Sequence, residues 1–139
     1  MRAFRIVIAG HGTLPASLLA TAELICGDIP NAAAVGLAPS ESPDHYAEEL
    51  RAAIGRDGGT GAGDVLVLCD LLGGTPFNVG AAISRRSPRV VCVAGANLAM
   101  LIEAALTAEP LAKPLVERLL EVGRAGIVES ERHRARRVS

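Results

Sequence analysis

The chain has 139 residues with a formal net charge of −1, and half of its residues are hydrophobic. This length predicts one domain with a sizeable core, and the balanced charge excludes a broad basic surface for nucleic acid or for an anionic membrane. Two phenylalanines and one tyrosine are the whole aromatic content, so the core must be built from Ala, Val, Leu and Ile, which is typical of α/β folds.

The start of the chain and its cysteines both indicate a cytoplasmic protein. The first apolar run follows Met1 almost directly, without the pattern of a signal peptide, and no apolar run is long enough to span a bilayer. The cysteines are odd in number, and Cys26, Cys69 and Cys92 show no CxxC spacing. We therefore expect small core side chains in a reducing compartment and a cytoplasmic location.

The first half of the chain predicts two strands, each followed by a helix. Residues 4–10 are a continuous apolar run, as in a strand covered on both faces, and residues 33–39 form a weaker strand. Thr13 is placed to cap the first helix. The second helix is expected to begin after Ser42 and to stop at Gly55.

The second half of the chain repeats the alternation. Residues 64–70 are the clearest buried strand in the sequence, and residues 89–95 predict a fourth strand. Between them Thr75 is expected to cap a third helix, with Pro76 in its first position. Asn97 is placed to cap a fourth helix.

The remaining segments complete the predicted organisation. Residues 56–63 are glycine-rich and lack a GK[ST] ending, so they are interpreted as a connector and not as a phosphate loop. Residues 110–124 predict an amphipathic helix, and residues 126–130 form a short β-capable piece. The predicted domain covers residues 1–130, and residues 131–139 form a polar tail.

Strands that alternate with helices at short spacing predict a doubly wound, mostly parallel sheet with helices on both faces. The expected strand order is 2-1-3-4. Ligands in such sheets bind beyond the carboxyl ends of the strands, where the winding direction changes. That point lies between the first and third strands, whose following loops carry His11 and residues 70–75.

His11 and Asp70 are candidates for a nucleophilic pair. A neutral imidazole attacks through one ring nitrogen when the other carries the proton, and a carboxylate bound to that N–H fixes the tautomer. The glycine turn after Asp70 would let a phosphoryl group approach the N–H groups at a helix start. The expected phosphate-binding residues are Gly73, Gly74, Thr75 and Thr13. Each feature alone also fits a turn or a helix cap, but their meeting at two neighbouring strand ends favours a functional site.

Three stretches of the sequence match a known family in order and spacing. They are IVIAGHG near the start, VLVLCDLLGGTPFN in the middle and VAGANLAMLIEA after it. Together they resemble the IIA component of the mannose-type (mannose/fructose/sorbose) bacterial phosphoenolpyruvate:sugar phosphotransferase system, over residues 4–127. The Asp-x-x-Gly-Gly-Thr/Ser-Pro-Phe-Asn element is the most specific part of this resemblance.

The resemblance implies a cytoplasmic phosphocarrier of the sugar transport system. His11 would accept a phosphoryl group from the small carrier protein HPr and pass it to a histidine of a IIB protein or domain. Asp70 would orient the imidazole, and Thr75 would help to hold the phosphoryl group. Family members form homodimers in which the last strand, here residues 126–129, joins the partner's sheet. No metal, nucleotide or other cofactor is implied, and the membrane is reached only through the transporter complex.

Other functions stay open at this point. We expect no second domain after residue 127, so the IIB function would belong to a separate protein or be absent, and the role could be that of a regulatory phosphoacceptor. A small tetrapyrrole metal chelatase also begins with a strand ending in Gly-His-Gly, but it needs a second histidine at a strand end. His45, expected in solvent beside Asp44 and Glu48, and His133 in the tail are badly placed for that. The sequence has no complete dinucleotide-binding glycine pattern and no GxSxG nucleophile elbow.

Overall fold

The computed structural model describes residues 2–58 and 63–131. The connector and the polar tail predicted from the sequence lie largely outside these residues. Among the residues described, no helix combines the length and the apolar character needed to cross a membrane. In chain order the elements are β1 (Phe4–His11), α1 (Leu14–Cys26), β2 (Ala32–Leu37), α2 (Pro43–Gly58), β3 (Asp64–Cys69), α3 (Thr75–Arg86), β4 (Val90–Val93), α4 (Leu98–Leu106) and α5 (Lys113–Ala125).

The four strands form one parallel sheet in the order β2-β1-β3-β4, which confirms the predicted order. β1 is an inner strand that pairs on both sides: Ala9 lies opposite Val35 of β2 and opposite Cys69 of β3. The register places His11 opposite Leu37, so this histidine is the last residue of β1 and not the first residue of the loop.

A hydrophobic core lies on each face of the sheet, which confirms that helices cover both faces. α1, α4 and α5 pack on one face, and α2 and α3 pack on the other. Because side chains alternate along a strand, Ile6 and Ile8 point into the first core and Val7 and Ala9 into the second. Full burial of one such aliphatic side chain contributes about 1.5–3 kcal/mol. The sheet is therefore a well-anchored platform for the loops at the strand ends.

The cysteines belong to these cores, as predicted. Cys69 is buried, Cys26 and Cys92 are partly buried, and all three are free thiols. The Sγ atoms of Cys69 and Cys92 lie 3.7 Å apart. Their hydrogen bond, together with burial, raises the pKa of the Cys69 thiol, so this side chain stays neutral.

One predicted helix start and one predicted helix end differ from the structure, and one predicted cap lacks its hydrogen bond. Gly74 is the N-cap of α3 and Thr75 is its first residue, one position from the prediction. α2 continues through Gly55 to Gly58, because a single glycine in a helix costs only about 1 kcal/mol. Thr13 occupies the N-cap position of α1 without a capping hydrogen bond, since its backbone is helical (φ −89°, ψ −2°) and a capping side chain needs extended backbone.

The strand predicted over residues 126–130 is not formed in the described chain. α5 ends at Ala125, and Ile127 and Val128 are 76% and 58% exposed. A strand needs a neighbouring strand to satisfy its N–H and C=O groups, and within the described residues this segment has none. The expected exchange of this segment with a second subunit stays a prediction.

Candidate functional site

The orientation of His11 follows from its place in β1. Because side chains alternate along a strand, His11 lies on the same face as Val7 and Ala9, which is the face covered by α2 and α3. α3 begins directly beside it, since a Cβ atom built on Gly74 would lie 2.8 Å from Cε1 of His11. The histidine side chain is nevertheless 45% exposed. A solvent-accessible imidazole is therefore held against the start of a helix.

The carboxylate of Asp70 reaches this histidine from the neighbouring strand. Its Oδ2 atom accepts a hydrogen bond from the backbone N–H of His11 at 2.9 Å and lies 3.0 Å from Nδ1 of the same residue. The backbone N–H of Asp70 donates to the carbonyl of Ala9 at 3.3 Å, which extends the strand pairing to this point. The structure thus brings together the two residues that the sequence analysis paired.

Hydrogen bonding keeps Asp70 ionised. Partial burial acts to raise its pKa, but hydrogen bonds from the backbone and the imidazole of His11 outweigh burial and lower the pKa. The other oxygen, Oδ1, is buried and finds no hydrogen-bond partner in the described part of the chain. Leaving a buried oxygen without a hydrogen bond lowers the stability of the fold by about 1–3 kcal/mol, so the two interactions at Oδ2 must outweigh that cost.

Glycines allow the backbone to close around the pair. A Cβ atom on Gly10 would lie 2.8 Å from Oδ2 of Asp70, and one on Gly36 would lie 2.0 Å from the carbonyl oxygen of Gly12. The N–H of Gly12 donates to the carbonyl of Leu37 at 2.9 Å. The loop that follows β1 is therefore tied to β2, and a larger side chain at position 36 would push it away.

The predicted anion-binding residues occupy distinct positions around α3. Thr75 is its partly buried first residue. Gly73 has a φ of +84°, and its carbonyl accepts a hydrogen bond from the side chain of Asn78 at 3.1 Å. The N–H of Gly74 already donates to the carbonyl of Leu71 at 3.1 Å, so this amide is engaged within the turn. The donors of the first helical turn itself have no intrahelical partner.

Large apolar side chains are exposed on the loops and helix start that carry the pair. Leu14, Leu71 and Leu72 are 48%, 58% and 72% exposed. Thr13, the remaining predicted phosphate-binding residue, is exposed next to Leu14. Exposed apolar groups next to a reactive side chain indicate a surface that contacts another macromolecule.

A second histidine–carboxylate cluster lies at the start of α2, and the sequence analysis missed it. His45 is 64% exposed, and its Nδ1 lies 2.7 Å from Oε2 of Glu41 and 3.8 Å from Oε1 of Glu49. The sequence predicted Asp44 and Glu48 beside His45. The charge of Glu48 does act on His45, but the contacts of the imidazole are with Glu41 and Glu49, four residues away on either side. That four-residue spacing was the available signal in the sequence.

Comparison with known proteins places these features in a family. A family model described as "PTS system fructose IIA component" (EIIA-man) matches residues 5–120. The chain is 33% identical over 115 residues to the fructose-specific EIIA component of Bacillus subtilis. This alignment covers 82% of this chain and 77% of that protein. It is 32% identical over 124 residues to the mannose-specific EIIAB component of Escherichia coli. That match covers 88% of this chain but only 38% of the longer protein.

A solved structure shows the same relationship. The crystal structure of the phosphotransferase system component EIIA from Streptococcus agalactiae aligns with a TM-score of 0.82 at 31% identity, covering 92% of this chain and 98% of that chain. Since the family model and relatives above 30% identity agree, the predicted resemblance is confirmed. The chain belongs to the EIIA-man family, the mannose-type IIA components of the sugar phosphotransferase system.

Proposed function

We propose that this chain is a phosphocarrier, in which His11 accepts a phosphoryl group from the phosphohistidine of HPr and passes it to a histidine of a IIB protein. The observation that carries the proposal is the 3.0 Å contact between Nδ1 of His11 and Oδ2 of Asp70. The carboxylate holds the proton on Nδ1, which leaves the lone pair of Nε2 for attack. Membership of a phosphotransferase family supports the same chemistry.

In the proposed step, Nε2 of His11 forms a bond to phosphorus while the N–P bond of the donor breaks. The electron pair of the broken bond returns to the donor imidazole. His11 then carries the phosphoryl group on a positively charged ring, and the carboxylate of Asp70 stabilises that charge. Transfer between two imidazoles requires positioning and electrostatic stabilisation rather than acid–base catalysis.

The phosphoryl oxygens would be held at the start of α3. A Cβ atom on Gly74 would lie 3.4 Å from Nε2 of His11, so the attacking atom is close to the N-cap of that helix. The hydroxyl of Thr75, the amides of the first turn and the helix dipole all favour negative charge there. Gly73 shapes the turn before them, and Thr13 at the start of α1 would add a second, more exposed donor.

The proposal implies partners and a location. The exposed Leu14, Leu71 and Leu72 support docking of a protein partner over His11. The protein would act in the cytoplasm and meet the membrane only through the transporter complex.

We also propose a homodimer in which residues 126–129 add a strand to the partner's sheet. The exposure of Ile127 and Val128 supports this arrangement, because an exposed apolar segment with β-branched side chains readily adds to the sheet edge of another chain. Size-exclusion chromatography with light scattering should give the mass of a dimer for the natural chain and that of a monomer for Ile127→Asp. A natural chain that is monomeric at high concentration would contradict the dimer.

Phosphorylation of the purified protein tests the main proposal. After incubation with phosphoenolpyruvate, enzyme I and HPr, we expect acid-labile, alkali-stable phosphate on His11. His11→Ala should take up no phosphate, whereas His45→Ala should be labelled like the natural chain. An unlabelled natural chain, or equal labelling of His11→Ala, would contradict the carrier role.

A second arm tests the onward transfer. We expect the label to leave the phosphorylated chain when a mannose-family IIB protein is added. Retention of the label with every IIB protein offered would favour the regulatory phosphoacceptor over the transport role.

A further inference from the structure

Three side chains outside the proposed phosphotransfer site converge at the start of α2. Glu41, His45 and Glu49 are spaced four residues apart, and one potential ligand atom from each lies within 4.8 Å of the others. His45 and Glu49 share one face of α2, and Glu41 lies in the turn just before that helix. The group combines an imidazole nitrogen with two carboxylate oxygens, which is a mixed donor set and not a purely acidic patch.

The side chain of Glu41 is fixed by a hydrogen bond to its second carboxylate oxygen. Its side chain is only 6% exposed, and its Oε1 atom accepts a hydrogen bond from the N–H of Ala38 at 2.9 Å. The N–H of Glu41 in turn donates to the carbonyl of Ala38 at 3.1 Å. This reciprocal turn leaves Oε2 directed at His45. Carboxylates that ligate metals are commonly oriented by such hydrogen bonds to their other oxygen.

The cluster carries excess negative charge. One oxygen atom from each of the carboxyl groups of Glu41 and Glu49 lies within 4.8 Å of the other, so two groups of the same sign are held close together. Within the described part of the chain, the cationic group that both carboxyls face is His45. The single charge that His45 can carry does not balance two carboxylates. A divalent cation bound between them would offset the remaining charge.

We propose that Glu41, His45 and Glu49 form a binding site for one divalent transition-metal cation of the zinc type. In tetrahedral zinc sites neighbouring ligand atoms lie roughly 3.3–3.5 Å apart. The separations from Nδ1 of His45, 2.7 Å and 3.8 Å, lie on either side of that range. The third separation, between the carboxylates, is within 4.8 Å, so rotation of the exposed side chains of His45 and Glu49 would bring the three ligand atoms to tetrahedral spacing.

The donor set selects the class of cation. One imidazole nitrogen and two carboxylate oxygens suit Zn²⁺, Co²⁺ or Ni²⁺, whereas Ca²⁺ and Mg²⁺ need more oxygen ligands. A surface cavity of about 550 Å³ opens beside the cluster and is lined by Ser40 and Ser42 as well as the three ligands. It leaves room for water molecules to complete the coordination.

The site is separate from the phosphotransfer step but adjoins the loop that carries it. Residues 38–42 connect β2 to α2, and β2 ends at Leu37, whose carbonyl binds the N–H of Gly12. A cation that joins Glu41 to α2 would fix this connection at both ends. We therefore expect the metal to stabilise the fold without taking part in the transfer.

Calorimetric titration of the whole chain with zinc chloride tests the proposal, in a background of His11→Ala and His133→Ala that leaves His45 as the one histidine of the sequence. We expect one equivalent of Zn²⁺ to bind. His45→Ala and Glu49→Gln should each weaken binding by at least about tenfold, the loss that even an outer-shell partner of a metal site produces. Glu48→Gln, the matched control on the neighbouring position, should bind as tightly as the parent chain.

Proton NMR of the histidine rings locates the ion independently of affinity. Substoichiometric Co²⁺ should broaden the ring signals of His45 in the natural chain before those of His11, and magnesium chloride should leave them unchanged. Equal zinc affinity of Glu49→Gln and Glu48→Gln, absence of heat on titration, or broadening of His11 first would overturn the proposal. Circular dichroism of each variant verifies that it is folded. None of these readouts depends on phosphotransfer.

Discussion

The molecule contains two imidazole–carboxylate pairs that resemble one another in distance but differ in construction. His11 and Asp70 lie 59 positions apart in sequence and meet across two strands, whereas His45 and Glu41 lie four positions apart at a helix start. The first pair exists only in the folded sheet, while the second needs only one turn of chain. The close packing of Gly74 on His11 further restrains the first pair. Distance therefore does not separate the two pairs, whereas the long-range position of the His11–Asp70 contact and the additional restraint from Gly74 do.

The largest expected difference between the pairs is in phosphotransfer. Asp70→Asn keeps the size of the side chain but removes the charge that stabilises the phosphorylated ring. We expect transfer from HPr to slow on the order of a hundredfold, as when one stabilising group is removed from a preorganised site. Glu41→Gln should leave the rate unchanged. Rapid-quench kinetics with both variants measures the difference, and an unaltered rate in Asp70→Asn would remove this residue from the mechanism.

The restraint on His11 can be loosened without touching its carboxylate. In Gly74→Ala the new Cβ would lie 2.8 Å from Cε1 of His11, so the ring must turn away, although the extended backbone at this position accepts alanine. We expect transfer to slow about tenfold, because small misplacements of reacting groups have effects of this order or larger.

Gly55→Ala is the matched control for this substitution. A Cβ atom there meets nothing within 4 Å. The variant should transfer normally and be more stable by about 0.4–1 kcal/mol in urea denaturation, since the glycine is helical. Equal transfer rates in both alanine variants would show that the ring position is not restrained by Gly74.

The His11–Asp70 pair also differs from the His45–Glu41 pair in having exposed leucines on the neighbouring loop. Leu72→Ser should leave the unfolding free energy within about 0.5 kcal/mol of the natural value, as for other surface substitutions. It should nevertheless raise the KM for phosphorylated HPr severalfold, because an apolar contact with the partner is lost. Leu24→Ser, at an 87% exposed position on α1, serves as control. A similar KM in both serine variants would argue against docking over the Leu71–Leu72 loop.

The smallest expected effect is the pH dependence of stability at the second pair. The hydrogen bond to Glu41 raises the pKa of His45 above its ordinary value of 6.5, although desolvation opposes it. The resulting stabilisation is complete below that value and is lost as the pH rises through the folded pKa. The difference in unfolding free energy between the natural chain and His45→Gln should therefore be largest below pH 6.5 and shrink as the pH rises above that value. Urea titrations that show a constant difference would contradict this.

Asp70 gives the opposite dependence. Its folded pKa lies below the ordinary value of 3.8, since hydrogen bonds from His11 outweigh burial. Its contribution is present above that value and is lost only in acid. The two pairs should thus be separable by pH alone.

Most of the fold and the first pair could be predicted from the sequence, because both follow from strong regularities. The apolar runs of β1 and β3 have the length and continuity of strands buried on both faces, and parallel strands align their carboxyl ends. That alignment was enough to bring His11 next to Asp70. The length of the contact between them, the lowered pKa of Asp70 and the exposure of the imidazole could not be predicted, because they depend on three-dimensional geometry that the sequence spacing does not give.

The details that escaped prediction depend on tertiary contacts. The N-cap of α3 is Gly74 because the turn needs a residue without a side chain against His11, and a propensity argument favours Thr75 instead. Glu41 precedes α2, so its approach to His45 depends on the turn at Ala38. Residues 126–130 have the composition of a strand, but a single chain does not provide the neighbour that they need.

Because His11 lies within β1, the face of the sheet on which it lies depends on the number of residues that precede it in the strand. The pleat of the strand, and not the loop, decides that the imidazole faces α3, as it does for Val7 and Ala9. An insertion or deletion of one residue in β1 would rotate the histidine to the face of α1 and α4 while the sheet could still pair. The length of this strand is therefore as much a part of the reactive centre as the histidine itself.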